Sequence, residues 1–265
     1  MSAATDWAGV AHARAGPDAR IASLVPSLTE LLFALDLGDR VVARTGFCVH
    51  PRDAVRRVRK VGGTKDVDLA ALRAARPTHL VVNVDENRRE VVDAARAFVP
   101  DVIVTHPAVP EDNRRLYALF GAVFGREAEA RALRERLDAA LAALERAVAP
   151  LPREQVLYLI WQRPWMTVAR DTYVSATLAR AGFDTVPATA DVRYPALRDD
   201  DPAWRDAQRI LLSTEPFAFR ARDRDALARA TGKRVDLVDG EWTSWYGPRA
   251  IGGLASLARF RTTGG

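Results

Sequence analysis

A chain of 265 residues, 48% of them hydrophobic, can bury a sizeable core and is long enough for two domains. Its formal charge of +5 comes from arginines interspersed with acidic residues along the whole chain. With no zinc-ligand spacing and no RNA-binding aromatic signature, that pattern argues against a nucleic-acid partner. The single cysteine, Cys48, excludes an internal disulfide framework, and no apolar run is long enough to span a bilayer, so no membrane insertion is expected.

Residues 1–19 contain neither an apolar signal core nor a lipid-attachment cysteine and are expected to be a disordered segment. As written, the chain is expected in the cytoplasm; with an upstream start it would be periplasmic.

From Ile21 the sequence alternates β-rich runs with helical patterns: Ile21 to Leu24, Val41 to Arg44, Leu80 to Val84 and Val102 to Thr105. Ser27 with Glu30 three residues later predicts a capping box opening a helix through Leu28, Leu31, Leu32 and Leu35. These elements make an N-terminal α/β lobe over 20–124.

After Gly125 a second helical stripe runs through Leu133, Leu137, Leu141, Leu144 and Val148 until Pro150 and Pro152 stop it. About two dozen residues of helix span about 36 Å, more than a crossover within one sheet needs, so 125–149 is expected to be a connecting helix. The alternation then restarts over 150–265 with Val156 to Ile160, a helix stopped at Gly182, Arg209 to Ser213, Arg234 to Val238 and a helix opened by Pro248. The fold class is α/β, with two Rossmann-like lobes of parallel sheet joined by one long helix.

Ligands of open α/β sheets collect beyond the carboxyl ends of the strands, where this chain is rich in aromatics. Phe47 follows the second strand, Trp161 and Trp165 the fifth, Phe217 the sixth, and Trp242, Trp245 and Tyr246 the seventh. Large stiff rings lose little rotamer entropy when a flat ligand packs on them, so these positions are candidate walls, weighed against roles in the core.

Cys48 and His50 lie two apart in one loop, but a metal site needs three or four ligands and no third pairs with them, so no metal is expected. A neutral His50 would be a good axial partner for a metal-centred macrocycle. His12, His79 and His106 carry no expected role. Gly62-Gly63 and Gly252-Gly253 fit neither phosphate-binding glycine spacing, and no nucleophile elbow or triad order is present, so no catalytic residues are assigned.

Five stretches carry a family resemblance: Arg20–Glu30 (RIASLVPSLTE), Phe47–Pro51 (FCVHP), Val61–Thr64 (VGGT), Leu72–Pro77 (LRAARP) and Asp239–Tyr246 (DGEWTSWY). Over about residues 20 to 258 the chain resembles the helical-backbone (class III) substrate-binding proteins of ABC importers for cobalamin, haem and ferric siderophores. Within them it is most similar to the cobalamin branch.

The resemblance implies a monomer that is not an enzyme and carries no cofactor of its own. It implies a ligand, cobalamin or another corrinoid, clamped in an aromatic cleft between the lobes. Phe47, Trp161, Trp165, Phe217, Trp242, Trp245 and Tyr246 would supply apolar walls. Cys48 and His50 would border the ligand, and Ser27, Asn87, Arg163, Glu215 and Arg249 would address its amides. Family members dock an ABC permease through an acidic residue on each lobe, for which Asp68 and Asp201 are the nearest counterparts. The alternatives are a ferric-siderophore or haem binder and, from another class, a cytoplasmic corrinoid-handling enzyme or accessory factor using Asp85, Glu86 or Cys48.

Overall fold

The computed structural model describes residues 4–264, and its contacts divide the chain into two units, each built on its own sheet. The first unit takes the chain to Pro107, Glu111–Arg136 and Tyr246–Pro248; the second takes Ala108–Pro110, Leu137–Trp245 and the chain from Arg249.

In the first unit, β1 (Ala4–Thr5) and β2 (Ala11–His12) form an antiparallel hairpin. There follow β3 (Ile21–Ser23), α1 (Pro26–Ala34), β4 (Val41–Arg44), α2 (Arg52–Val55), β5 (Arg59–Lys60), α3 (Leu69–Ala74), β6 (His79–Asn83), α4 (Arg89–Arg96), β7 (Asp101–Thr105) and α5 (Asn113–Phe124). The five main strands lie in the order β5-β4-β3-β6-β7, all parallel. Both faces are buried: Ala22, Leu24, Leu80 and Val82 pack with Leu72 and Ala95, while Ile21 and Val81 are as fully buried. Continuous apolar strands are what a two-sided parallel sheet requires.

Two expectations are corrected here. Residues 4–19 are not disordered; only residues 1–3 of that segment lie outside the described residues. Small alanines and glycines with no apolar periodicity hid the order, because side chains supply the ties. Asp6 accepts from the Ala8, Val10 and Val104 amides, and the Arg115 guanidinium stacks 4.1 Å over the Trp7 ring. Nor does Ser27 cap a helix. Pro26, whose fixed φ and missing N–H suit the first helical position, starts α1 after Val25, so Ser27 falls inside the first turn.

Gly125 ends α5 in the left-handed region at φ 68°, its N–H reaching Gly121 O, and α6 (Glu127–Val148) follows as one unbroken helix. Ala130, Leu133, Leu137 and Leu144 are its buried stripe. The boundary between the two units falls within this helix, after Arg136. The first unit also regains Tyr246–Pro248, where Tyr117 Oη donates to Gly247 O (2.8 Å) and Gly247 N to Asn113 Oδ1 (2.5 Å).

The second unit continues with β8 (Glu154–Trp161), β9 (Trp165–Thr167), α7 (Tyr173–Arg180), β10 (Phe183–Thr185), β11 (Ala196–Leu197), α8 (Pro202–Asp206), β12 (Arg209–Ser213), α9 (Ala221–Thr231), β13 (Arg234–Val238), α10 (Gly240–Ser244) and α11 (Pro248–Thr263). Its strand order is β11-β9-β8-β12-β13, with β10 alongside the start of β8. The strands β10, β8, β12 and β13 are parallel, while β9 and β11 add an antiparallel margin, so this sheet is mixed. Leu157, Leu159, Ile210 and Leu212 anchor its core.

Candidate functional site

The strand orders locate a crevice in each sheet. In the first, the chain winds outward from β3 to β5 and then returns to β6 on the other side of β3, so the switch point lies beyond β3 and β6. In the second, the same reversal falls between β8 and β12. Ser27, Asn87, Arg163, Glu215 and Phe217 follow these four strands, while Phe47, Cys48 and His50 follow β4 and Trp242, Trp245, Tyr246 and Arg249 follow β13.

In the first unit those residues divide sharply by burial. Asn87 is fully engaged: Oδ1 accepts from Asn83 N (2.9 Å), and Nδ2 donates to Leu24 O (3.2 Å) and Thr64 O (2.9 Å). It staples the two switch-point loops and has no donor left over for a ligand. Cys48 is wholly buried, with Thr29 donating to Sγ at 3.0 Å and Thr45 Oγ1 3.2 Å away, and burial pushes its thiol up. Apolar burial of this kind makes a thiol inert. Phe47, by contrast, is 63% exposed, and His50 in the same loop is half-buried.

Tyr246 is buried beside Ser27 and donates to Glu86 Oε1 at 2.6 Å. Burial first, and then the Glu86 charge, hold its hydroxyl well above the usual phenol range, so it stays a protonated donor. Asp85 faces His106, with Oδ2 3.5 Å from Nε2. Glu86 as the partner of Tyr246 was not foreseen; the pairing is 160 residues apart in sequence and leaves no local signal.

In the second unit the aromatics form a continuous run across the switch point. Trp161, last residue of β8, meets Phe217 edge to face at 5.5 Å; Phe217 lies 4.6 Å from Phe219, which stacks on Trp165 at 6.0 Å, and Trp204 closes the run 5.6 Å from Trp165. Trp161 is the exposed end at 40%, while Trp165 and Phe217 are half-buried against the core and Phe219 is buried. Phe219 and Trp204 were missed from sequence, although Phe219 stands two residues after Phe217. Arg163 sits exposed at the tip of the β8–β9 turn with φ 65°.

Trp245 is buried where Trp161 is exposed. It is 8% exposed, its indole N–H donates to Glu215 Oε1 (2.7 Å), and the Arg249 guanidinium lies 5.2 Å over its ring while pairing with Glu241 at 2.7 Å. Ser244 Oγ donates to the same Glu215 oxygen (2.9 Å). Gly240 backs directly onto the Glu215 side chain, where any Cβ would collide. Trp242 is half-buried, its backbone pressed on Gly253. Beneath them Tyr158, pushed up to about 12 by burial, bonds Ser213 (3.0 Å) and Thr243 (2.6 Å). Glu215 and Arg249 therefore brace α10 and its flank.

Burial also raises the Glu215 carboxyl above its ordinary 4.5, with Glu241 and Asp239 adding to the effect and Ser244 and Trp245 opposing it. A raised acid favours the protonated fold, so its contribution to stability is complete below 4.5 and is lost as pH rises through the raised value. Glu215→Gln keeps an acceptor for Ser244 and Trp245 and is expected to remove that loss. Denaturant unfolding from about pH 4 to about pH 7 checks it: wild type should weaken relative to the variant across the range, and parallel curves would contradict the assignment.

Asp68 is the N-cap of α3, accepting from Ala71 N (2.9 Å), and Asp201 the N-cap of α8, accepting from Ala203 N (2.9 Å). Among the described residues no cluster of three or more His, Cys, Asp or Glu is arranged to hold a metal, and no helix is long and apolar enough to cross a membrane.

A family model described as "Periplasmic binding protein" matches residues 21–229. A vitamin B12-binding protein of Photorhabdus laumondii is 21% identical over 232 residues, 88% of this chain and 84% of the relative. Among solved structures, the periplasmic vitamin B12-binding protein of Vibrio cholerae matches with TM-score 0.80 at 18% identity, covering 93% of this chain and 98% of that one. A periplasmic haem-binding protein of Roseiflexus matches with TM-score 0.77 at 20% identity, covering 93% and 98%.

Proposed function

The chain belongs to the periplasmic binding protein family, as a binding protein and not an enzyme, and we propose that its ligand is cobalamin or a closely related corrinoid. The observation that carries this reading is the run from Trp161 through Phe217 to Trp165 at the switch point of the second sheet, a row of rings suited to a broad, flat, partly apolar ligand. Two relatives spanning most of the chain are named vitamin B12-binding proteins, which supports the same choice.

In the second unit Trp161, Trp165 and Phe217 supply ring faces and edges for the ligand, bordered by Arg163 and Trp242; in the first unit Phe47 offers its exposed ring, flanked by His50 and Ser27. Glu215, Arg249, Trp245, Tyr246, Asn87 and Cys48 hold the surrounding loops in place. On this reading the protein works in the periplasm and delivers its ligand as a monomer to an ABC permease that reads Asp68 and Asp201; membership of the periplasmic binding protein family supports that location.

Gel filtration of the protein mixed with equimolar cobalamin, followed by visible absorbance, tests the ligand. The pigment should elute with the protein at micromolar concentrations. Haemin and a ferric siderophore run in parallel; co-elution of either one while cobalamin elutes free would overturn the choice of corrinoid.

A further inference from the structure

Arginines and acids alternate along most of the chain, but the surplus of positive charge is local. Residues 52–60 (RDAVRRVRK) hold five cations, Arg52, Arg56, Arg57, Arg59 and Lys60, and one acid, Asp53, so they supply four of the five net charges of the chain. They form one corner of the first unit, made of α2, a turn at 56–58 and β5, the outermost strand of its sheet. All five cations are exposed, and among the described residues none of them makes an ion pair or a side-chain hydrogen bond. Elsewhere surface arginines find acids: Arg14 pairs with Glu127 at 2.8 Å, Arg153 with Asp184 at 2.6 Å and Arg224 with Asp225 at 2.8 Å. Beneath the corner the positive charge continues. Arg44, at the end of β4, is 4% exposed and donates to Val55 O (3.2 Å), at the last residue of α2, and to Thr45 O (3.0 Å). Carbonyls satisfy its N–H groups without cancelling its charge, and among the described residues no carboxylate pairs with it.

We propose that the α2–β5 corner docks peripherally on an anionic phospholipid surface. Like charges crowded on one ordered corner repel one another, and a partner that carries many negative charges relieves that repulsion while gaining from every cation. A bilayer suits the corner better than a nucleic acid does. Val49, 46% exposed in the loop leading into α2, and Ala54, exposed on α2, set small apolar groups among the cations, the mixture that favours a headgroup layer with acyl chains just beneath it. By contrast α2 has four residues, too few to lie along a major groove, and no aromatic residue stands within 52–60 to stack on a base. None of the corner residues is assigned to the small ligand, so the proposal stands or falls independently of the corrinoid.

Co-sedimentation with phosphatidylcholine vesicles that carry about one-third phosphatidylglycerol tests the corner. At about 0.05 M salt the protein should pellet with these vesicles and not with phosphatidylcholine alone, and its affinity should fall by about tenfold or more on raising salt to about 0.3 M, where ions screen the field. The triple variant Arg56→Gln/Arg57→Gln/Lys60→Gln should bind the anionic vesicles about thirtyfold or more weakly. Arg136→Gln/Arg146→Gln/Arg229→Gln removes the same charge from α6 and α9 and should bind as wild type does. All six side chains are exposed, so both triples should keep the wild-type denaturant midpoint. Failure of the wild type to pellet with the anionic vesicles would overturn the proposal, and so would equal losses in the two triples, which would assign the effect to net charge alone. Tighter binding to a DNA duplex of about 20 base pairs in the same low-salt buffer would also overturn it, in favour of a nucleic acid.

Discussion

Arg209→Ala is expected to be the most destabilising single replacement in the second unit, costing about 3 kcal/mol. Arg209 opens β12, and its side chain is 1% exposed, among the largest fully buried side chains of the described residues. Its guanidinium pairs with Asp236 at 2.6 Å and Glu154 at 3.7 Å, donates to Gly264 O at 3.2 Å, and lies 4.7 Å over Phe260 and 5.6 Å over Phe183. One cation thus ties β8, β12, β13 and the end of α11.

Alanine would leave a void under the two rings and strand two carboxylates that the fold had neutralised. The estimate sits at the lower end for a broken buried pair because Asp236 and Glu154 keep 20% and 22% exposure and can regain water, and because Arg234 also reaches Asp236 at 2.9 Å. Arg209→Met fills most of the void without the charge and should recover roughly 1 kcal/mol of the loss. Denaturant midpoints at constant m-value measure both. A midpoint for Arg209→Ala within about 0.5 kcal/mol of wild type would show that the buried charge network contributes nothing net.

The sequence made the central strands readable for a physical reason. A parallel strand covered on both faces needs an unbroken apolar run, and Leu80–Val82 and Ile210–Leu212 have no other use for one. The two- and three-residue margins, β5, β9, β10 and β11, are too short to show periodicity and take their pairing from their neighbours. The order of residues 4–19 was hidden for a related reason: it comes from Asp6, His12 and Arg115 bonding to residues about 90 to 110 positions away, which no local window contains.

The site was half legible for the same cause. Position after a strand marked Trp161, Trp165, Trp242 and Trp245 alike, since topology fixes where strand ends gather. Exposure separates them, and exposure depends on partners from distant segments. Glu215 draws the Trp245 indole inward and Glu86 does the same for Tyr246, whereas Trp161 finds only the edge of Phe217. Asn87 and Cys48 looked available as polar loop residues until their bonds to Leu24, Thr64, Thr29 and Thr45 were in view.

That separation predicts opposite phenotypes for two tryptophans. Trp161→Ala is expected to weaken cobalamin binding about thirtyfold, or roughly 2 kcal/mol, the scale of an aromatic anchor at a binding surface. It should change unfolding free energy by less than about 1 kcal/mol, because the ring is 40% exposed and contacts Phe217 through one edge-to-face pair. Trp245→Phe keeps a ring under Arg249 but removes the indole N–H, leaving the Glu215 oxygen with Ser244 alone. A half-met buried carboxylate costs about 1–2 kcal/mol of stability, while affinity should fall less than about threefold. Isothermal titration with cobalamin and denaturant unfolding on both variants give the four numbers. If Trp161→Ala binds as wild type does, the exposed end of the ring run is not a ligand wall, and if Trp245→Phe loses affinity as Trp161→Ala is expected to, the buried tryptophan belongs to the wall after all.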